Sequence, residues 1–147
     1  MLPFFVHIAT FDDYEVYVRE PNNWAVQNGP HWCDTHALQV KASLLWLPLL
    51  EHDYLAVREA FATGLTTVNS EQAAQRLTTF PAQHVIRLAL TSRCSWYWVD
   101  LALRWASHLE LEPDLQRAVR TLALDRAVPQ PTRHRAKRLY YTGKCSA

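Results

Sequence analysis

The sequence predicts a mainly α protein of the α+β class, in which an N-terminal β-hairpin packs on an orthogonal or antiparallel multi-helix bundle. Two patterns carry this prediction. Residues 3–19 alternate with a period of two, and residues 35–141 place apolar side chains at helical spacing. Of the 147 residues, 49 % are hydrophobic and 20 % are charged, as in ordinary globular proteins. A chain of this length buries a sizeable core, so we expect a single domain over residues 1–147.

The predicted hairpin covers residues 3–19. Its first run, Phe4–Ile8, is aromatic and aliphatic, Asp12 and Asp13 then interrupt the pattern, and residues 14–19 resume it with β-branched and aromatic side chains. An isolated two-stranded hairpin is marginally stable in water, so we expect this one to pack on the helical part.

Residues 20–34 are predicted as a loop, because Pro21 and the run Asn28-Gly29-Pro30 are typical turn formers. Trp24 and Trp32 lie within this segment. Large rings in a loop either anchor it to a core or serve as binding hot spots, where tryptophan is enriched. Both interpretations stay open from the sequence.

Prolines, a glycine and capping residues separate the predicted helices. Asp34 or Thr35 caps the first helix, Pro48 ends or kinks it, and the second stops near Gly64, since glycine often follows a helix end. Gly143 closes the last helix, before a frayed tail. The predicted helices cover residues 35–47, 49–64, 70–80, 81–91, 95–109, 113–128 and 133–141, and the tail covers residues 142–147.

The helix of residues 95–109 is apolar nearly all round, which is typical of a helix at the centre of a fold. A short apolar pattern also recurs after 34 residues, from 85–90 to 119–124. A period of this length is typical of stacked helix-pair repeats. HEAT-like helix pairs within the bundle therefore stay open as one alternative, and a chance match of four small apolar residues is the other.

Positive charge is concentrated towards the C-terminal end. Residues 115–147 hold eight Lys/Arg and one acidic residue, a net charge of +7, whereas residues 1–114 hold seven Lys/Arg and thirteen acidic residues, a net charge of −6. Such asymmetry governs which partners a protein meets and how fast, rather than its fold. The overall pI of about 7.8 lies below the value of 9 that dedicated nucleic-acid-binding domains usually exceed.

The cysteines and the hydropathy of the chain indicate the cellular compartment that we expect. Cys33, Cys94 and Cys145 are widely separated and have no CxxC spacing, which favours a reducing, cytoplasmic location over a disulfide framework. No apolar run reaches the roughly 20 residues of a spanning helix, so we expect no membrane partner. With no glycine-rich phosphate loop in the sequence, we also expect no cofactor.

The segment from His31 to His36 is the one richest in side chains that can bind a metal or act as a nucleophile. Here His31, Cys33 and His36 are candidate zinc ligands, although their spacing matches no common zinc signature. The alternative is a buried cysteine between two ordinary histidines. A nucleophilic thiol at Cys33 or Cys94 would need a cationic neighbour or a helix N-terminus, and Cys94 follows Arg93 just before a predicted helix.

These observations favour a non-enzymatic protein–protein interaction module, a small binder or inhibitor of the immunity, antitoxin or adaptor type. Catalytic signatures are missing, aromatic residues are abundant, and the opposed charges would accelerate encounter with a partner. We expect that partner to be another protein. The candidate partner-binding residues lie in the acidic hairpin and loop and on the basic last helix: Asp12, Asp13, Glu15, Trp24, Arg133, Arg135, Lys137 and Arg138.

Two alternatives stay open. One is a nucleic-acid-associated protein that contacts phosphates through residues 117–138. The other is a metal- or thiol-dependent enzyme at residues 31–36. The basic residues could also simply pair with acidic residues or solvate the last helix, since surface ion pairs contribute only about 0–1 kcal/mol.

Overall fold

The computed structural model describes residues 4–40, 43–92 and 95–142, with the backbone alone for 39 and 40. These residues form a β-sheet and a larger helical part, which confirms the α+β class. The elements are β1 (Val6–Phe11), β2 (Tyr14–Arg19), β3 (Asn23–Asn28), β4 (His31–Asp34), α1 (Thr35–Val40), a 3-10 helix (Leu44–Glu51), α2 (Tyr54–Asn69), α3 (Ala73–Leu77), α4 (Ala82–Ser92), α5 (Trp96–Ala106), α6 (Pro113–Leu124) and α7 (Gln130–Tyr141).

The chain divides into two compact units, which we call unit 1 (residues 1–81) and unit 2 (residues 82–147). Unit 1 contains the sheet and the helices up to α3, and unit 2 contains α4 to α7. The single domain over residues 1–147 and the HEAT-like helix pairs stay predictions.

The four strands of unit 1 form an antiparallel sheet in the order β1-β2-β3-β4. Two-residue turns at 12–13 and 29–30 join β1 to β2 and β3 to β4. Asp12 and Gly29 have φ angles of 55° and 61°. Glycine enters this left-handed region freely, and aspartate tolerates it better than most residues. The predicted hairpin is therefore present as β1 and β2, and its first residue, 3, lies outside the described residues.

The loop predicted for residues 20–34 is wrong, because most of this segment forms strands β3 and β4. Trp24, Ala25 and Val26 of β3 are all buried, so three consecutive positions of this strand are apolar and buried. A strand of that kind lacks the alternation by which a half-buried strand is recognised. The turn-forming residues 28–30 connect two strands instead of filling a loop.

Trp24 lies in the core of unit 1. It is 1 % exposed, and its ring centroid lies 5.1 Å from that of Phe61 on α2 and 5.2 Å from that of Phe80. Its indole Nε1–H donates to Thr79 Oγ1 at 2.8 Å, which satisfies its one polar group. Burying a ring of about 200 Å² contributes about 5 kcal/mol before entropic costs.

The junction between β4 and α1 is held by side chains that bond to the backbone. Thr35 Oγ1 accepts from the Trp24 N–H at 2.7 Å and donates to the Trp24 carbonyl at 2.9 Å. A side chain thus replaces the strand partner that β3 would otherwise need at this position. Asp34 Oδ1 accepts from the Ala37 N–H at 2.9 Å, so it caps α1 as predicted.

The single helix predicted for residues 35–47 is instead two elements, α1 and the 3-10 helix, and the second continues past Pro48. In a 3-10 helix the N–H of residue 48 would donate to the carbonyl of Leu45. Proline has no N–H, and the Tyr14 hydroxyl donates to this carbonyl instead, at 2.8 Å. Burial raises the pKa of Tyr14 far above its ordinary value, so the hydroxyl keeps its proton.

Helix α2 runs through Gly64, so the helix end predicted there is wrong. The glycine serves close packing against β1. A Cβ at Gly64 would overlap the carbonyl oxygen of Ile8 and lie 2.8 Å from its carbonyl carbon. The absence of a side chain therefore lets the backbones of α2 and β1 approach each other.

In unit 2, α4 packs against α5, α6 against α7, and α5 against α7. Ser95 begins α5 as predicted, and its Oγ accepts from the Tyr97 N–H at 3.0 Å. The helix is not buried all round, because Trp96 and Tyr97 are 36 % and 53 % exposed. Its core side is formed by Val99, Ala102, Leu103, Trp105 and Ala106.

Polar side chains tie α4 to the start of α6. The Arg87 guanidinium donates to both carboxylate oxygens of Asp114, at 2.7 and 3.1 Å, and to Glu112 Oε1 at 3.1 Å. The hydrogen bond and charge of Arg87 hold the pKa of Asp114 below its usual range. Gln83 adds two further bonds, from its amide to the Glu110 carbonyl and from the Glu112 N–H to its oxygen.

Candidate interaction surfaces

The face of the sheet that is turned away from the core carries an aromatic and polar surface, which we call the outer sheet face. Its members follow from the strand register, because residues directly opposite each other on paired strands share a face. The members on β2 are Glu15, Tyr17 and Arg19, which are half-buried, whereas the alternate residues 14, 16 and 18 are buried. The outer sheet face comprises His7, Thr10, Glu15, Tyr17, Arg19, Asn23, Ala25, Gln27, Trp32 and Asp34 by register. Phe5, which precedes β1, belongs to it through its contacts with Trp32 and Arg19.

Aromatic side chains and one arginine stack across this face. Trp32 is 45 % exposed, and its ring centroid lies 6.1 Å from that of Phe5. The Arg19 guanidinium carbon lies 4.7 Å from the centroid of the Phe5 ring, a cation–π contact. His7 and Tyr17 pack edge to face with centroids 5.4 Å apart. The stacked rings are therefore held in place before any partner binds.

Hydrogen bonds fix the centre of the outer sheet face. The Tyr17 hydroxyl lies 3.2 Å from Glu15 Oε2 and 3.1 Å from Gln27 Oε1, two acceptors for its one proton. His7 Nε2 lies 2.8 Å from Thr10 Oγ1 and 3.6 Å from Glu15 Oε1. Desolvation and the nearby Glu15 carboxylate raise the pKa of Tyr17, so its hydroxyl stays protonated.

The structure separates the four predicted binding residues of the N-terminal half. Asp12 and Asp13 are exposed at the turn between β1 and β2, and Glu15 lies on the outer sheet face. The prediction for Trp24 is wrong, because this ring is buried in the core and cannot reach a partner. Tyr17 was not among the predicted residues, although its position in the alternating run of β2 marks it as facing away from the buried residues.

The three predicted metal ligands are not brought together. His31 and His36 are exposed, whereas the Cys33 thiol is buried, accepts from Trp46 Nε1 at 3.3 Å and contacts the Asp34 carbonyl oxygen at 3.4 Å. Among residues 4–40, 43–92 and 95–142, no three His, Cys, Asp or Glu side chains form a group that could hold a metal ion. A buried thiol is also a poor nucleophile. Cys94, the other candidate thiol, lies outside the described residues.

The basic residues predicted on the last helix divide into different roles. Arg133 donates from Nη1 to the carbonyls of Val128 and Arg126, at 3.2 and 3.4 Å, so it holds the connection before α7. Arg135 Nε lies 3.7 Å from Asp100 Oδ1 on α5. Lys137 is half-buried, and Arg138 is exposed. Only part of the predicted basic surface is therefore free to contact a partner.

Arg138 lines a cleft of about 550 Å³ between α5 and α7, which we call the α5–α7 cleft. Asp100 of α5 pairs with Arg135 of α7, which lines the cleft. The cleft is lined by Leu103, Arg104, Ser107, His108, Arg135, Arg138, Leu139 and Thr142. Its arginines come from both helices, so no single sequence run reveals the cluster.

Charge is divided at the boundary between the units. Unit 1 contains four Lys/Arg and nine Asp/Glu, a net charge of −5, and unit 2 contains eleven Lys/Arg and five Asp/Glu, a net charge of +6. The outer sheet face thus belongs to the unit of negative net charge, and the α5–α7 cleft belongs to the unit of positive net charge.

Among the described helices, none combines the length and the apolar character that crossing a bilayer requires. Comparison with known proteins finds no family model, no curated protein and no solved structure that matches this chain.

Proposed function

We propose that this protein is a non-enzymatic interaction module, a small binder or inhibitor of the immunity, antitoxin or adaptor type, which docks on a basic protein surface through its outer sheet face. The observation that carries the proposal is the half-exposed Trp32, whose ring lies beside that of Phe5, while the Arg19 guanidinium stacks on the Phe5 ring. Tryptophan, tyrosine and arginine are the residues most enriched among interface hot spots.

The rigidity of this face supports the same proposal. Tyr17 is hydrogen-bonded and His7 packs on its ring, so these side chains have little freedom to lose when a partner docks. A preorganised surface loses less conformational entropy on binding and therefore gains affinity.

Charge selects the chemistry of the partner. Asp12, Asp13, Glu15 and Asp34 lie at or beside the outer sheet face, and Arg19 is the one Lys or Arg among the described residues that form this face. A basic protein surface complements this excess of negative charge, and long-range attraction of that kind raises association rates. An acidic partner, including a nucleic acid, would be repelled from this face.

The test compares proteins captured from the native host by the parent chain and by matched variants. Trp32→Ala and the double reversal Asp12→Lys/Asp13→Lys remove the proposed anchor and charge. Glu71→Lys reverses an exposed charge on the same unit outside this face. Loss of a hot spot costs at least about 2 kcal/mol, or roughly thirtyfold in affinity.

We expect one basic protein to be retained by the parent and by Glu71→Lys, and lost from the other two variants. Equal capture by all four proteins would refute docking through the outer sheet face. A partner that disappears after nuclease treatment would refute the proposal in favour of the nucleic-acid function.

Nucleic-acid association through residues 117–138 is the second candidate function, and the net charge of +6 on unit 2 favours it. Arg117, Arg120 and Arg126 are exposed, and so is the ring of Tyr141, on which a base can stack. Because Arg133 and Arg135 have roles within the fold, the sharper variant is Arg117→Gln/Arg120→Gln/Arg126→Gln. We would then expect binding of a fluorescent single-stranded oligonucleotide to fall steeply with salt and to weaken in this variant.

A further inference from the structure

We propose that the α5–α7 cleft binds a small organic carboxylate with a short apolar body. This site belongs to unit 2, and it is independent of the outer sheet face, so either proposal can fail without the other. The charge balance of the cleft, its hydrogen-bond donors and its apolar floor select this ligand.

Charge balance selects a monoanion. Arg104, Arg135 and Arg138 line the cleft, and Asp100 offsets one of them through its pair with Arg135. Arg104 and Arg138 also lie in the last turns of α5 and α7, where each helix end carries about half a negative charge. Among the described residues, three full positive charges against one carboxylate and two such helix ends leave about one positive charge for a ligand to neutralise.

The arginines are the donors that a ligand would meet. Within the part of the chain that the structure describes, the Arg104 and Arg138 guanidinium groups have no acceptor. Arg135 Nε is buried and lies 3.7 Å from Asp100 Oδ1, so the two other arginines are the ones open to a ligand. The cleft hydroxyls already use their protons, since Ser107 Oγ donates to the Arg104 carbonyl at 2.6 Å and Thr142 Oγ1 to the Leu139 carbonyl at 3.2 Å. A guanidinium fork matches a planar carboxylate, which it can bind through two parallel hydrogen bonds.

The floor of the cleft determines the rest of the ligand. Leu103 and Leu139 line it, and the aliphatic stems of the arginines extend this apolar surface. The volume of about 550 Å³ lies in the range of small-molecule sites and exceeds what a bare carboxylate would fill. A short hydrocarbon chain attached to the carboxylate would occupy the remainder.

The binding experiment uses the intact protein and isothermal titration calorimetry with hexanoate as the probe. Hexanamide has the same shape without the charge, acetate has the charge without the chain, and inorganic phosphate is an oxyanion of higher charge. We expect saturable binding of hexanoate, weaker binding of acetate and phosphate, and no binding of hexanamide. Stronger binding of phosphate than of hexanoate would overturn the assignment of a carboxylate, and absence of hexanoate binding would overturn the site.

Matched arginine variants locate the binding. Arg104→Gln and Arg138→Gln each remove a charge-assisted hydrogen bond, so we expect hexanoate affinity to fall about tenfold or more in each. Arg117→Gln and Arg120→Gln remove the same charge from exposed positions of α6 that do not line the cleft. They should leave the affinity within about twofold, because interactions between solvent-exposed charges are weak. Equal losses in both pairs of variants would show a general charge effect and would refute the cleft as the site. Circular dichroism of each variant confirms that its helices are intact.

Discussion

The hydroxyl of Tyr14 supplies the hydrogen bond that Pro48 cannot make, and this substitution of one donor for another can be measured. The hydroxyl donates to the Leu45 carbonyl at 2.8 Å, in the position that the N–H of residue 48 would occupy in a regular 3-10 helix. Tyr14→Phe keeps the ring and removes only this donor. Pro48→Ala restores a backbone N–H beside the same carbonyl.

The magnitude follows from leaving a carbonyl unsatisfied. Loss of a partner from a buried acceptor costs about 1–3 kcal/mol, and because the bond between Tyr14 and Leu45 is only part-buried, we expect Tyr14→Phe to cost about 1–2 kcal/mol. In the Pro48→Ala background the new N–H takes over the carbonyl, so the same change should cost about 0.5 kcal/mol or less. The coupling energy of the pair is then about 1 kcal/mol, larger than the roughly 0.3–0.5 kcal/mol within which independent mutations add.

Urea unfolding of the parent, both single variants and the double variant gives the coupling energy. Tryptophan fluorescence is a suitable signal, because Trp46 is fully buried within the 3-10 helix. Pro30→Ala is the control, since it removes a proline from an exposed turn of the same unit. We expect Tyr14→Phe and Pro30→Ala to be additive. Additive free energies for Tyr14→Phe and Pro48→Ala would refute the exchange of donors.

Three further predictions concern packing, pH and thiol chemistry. Gly64→Ala should destabilise the protein by about 1–2 kcal/mol in urea unfolding, since the clash with β1 outweighs the gain of about 1 kcal/mol in helix propensity. Thr66→Ala on the exposed side of α2 should change the free energy of unfolding by no more than about 0.5 kcal/mol. A Gly64→Ala variant that is more stable than the parent would refute the close approach of α2 and β1. Arg87→Gln should cost about 1 kcal/mol at pH 7, the upper end for a surface pair, and unfolding curves should show this difference shrink below about pH 4. The difference shrinks because the folded-state pKa of Asp114 is below its usual 3.8, so the stability that the ion pair contributes is present above that pH and lost on acidification. A difference between parent and variant that does not change with pH would contradict this ion pair. The native parent and Cys33→Ala should react with the same number of equivalents of a thiol reagent, because Cys33 is buried, and one equivalent fewer in the variant would show that this thiol is accessible.

Features set by neighbouring residues were predicted from the sequence. Asp34 and Ser95 cap helices as their residue types indicate, because a cap depends on the next two or three backbone N–H groups alone. The turn at Asp12 follows for the same reason. The class of the fold rests on such local signals together with the change of hydrophobic period near residue 35.

Features that depend on distant residues were not predicted. Three consecutive residues of β3 are buried, so its sequence lacks alternation. Gly64 is required by the close approach of the Ile8 backbone, which is distant in sequence, rather than by its neighbours in the helix. The candidate surfaces follow the same rule. The outer sheet face depends on strand register, and the availability of each basic residue of α7 depends on acceptors elsewhere, as the pair of Arg135 with Asp100 shows.

The division of charge at the unit boundary means that the formal net charge of +1 describes the molecule poorly. Migration in an electric field depends on that total. Adsorption to a surface does not, because electrostatic attraction at physiological ionic strength extends only about 8 Å and samples the nearest side chains. Anion- and cation-exchange resins should therefore both retain this nearly neutral protein, each through a different unit.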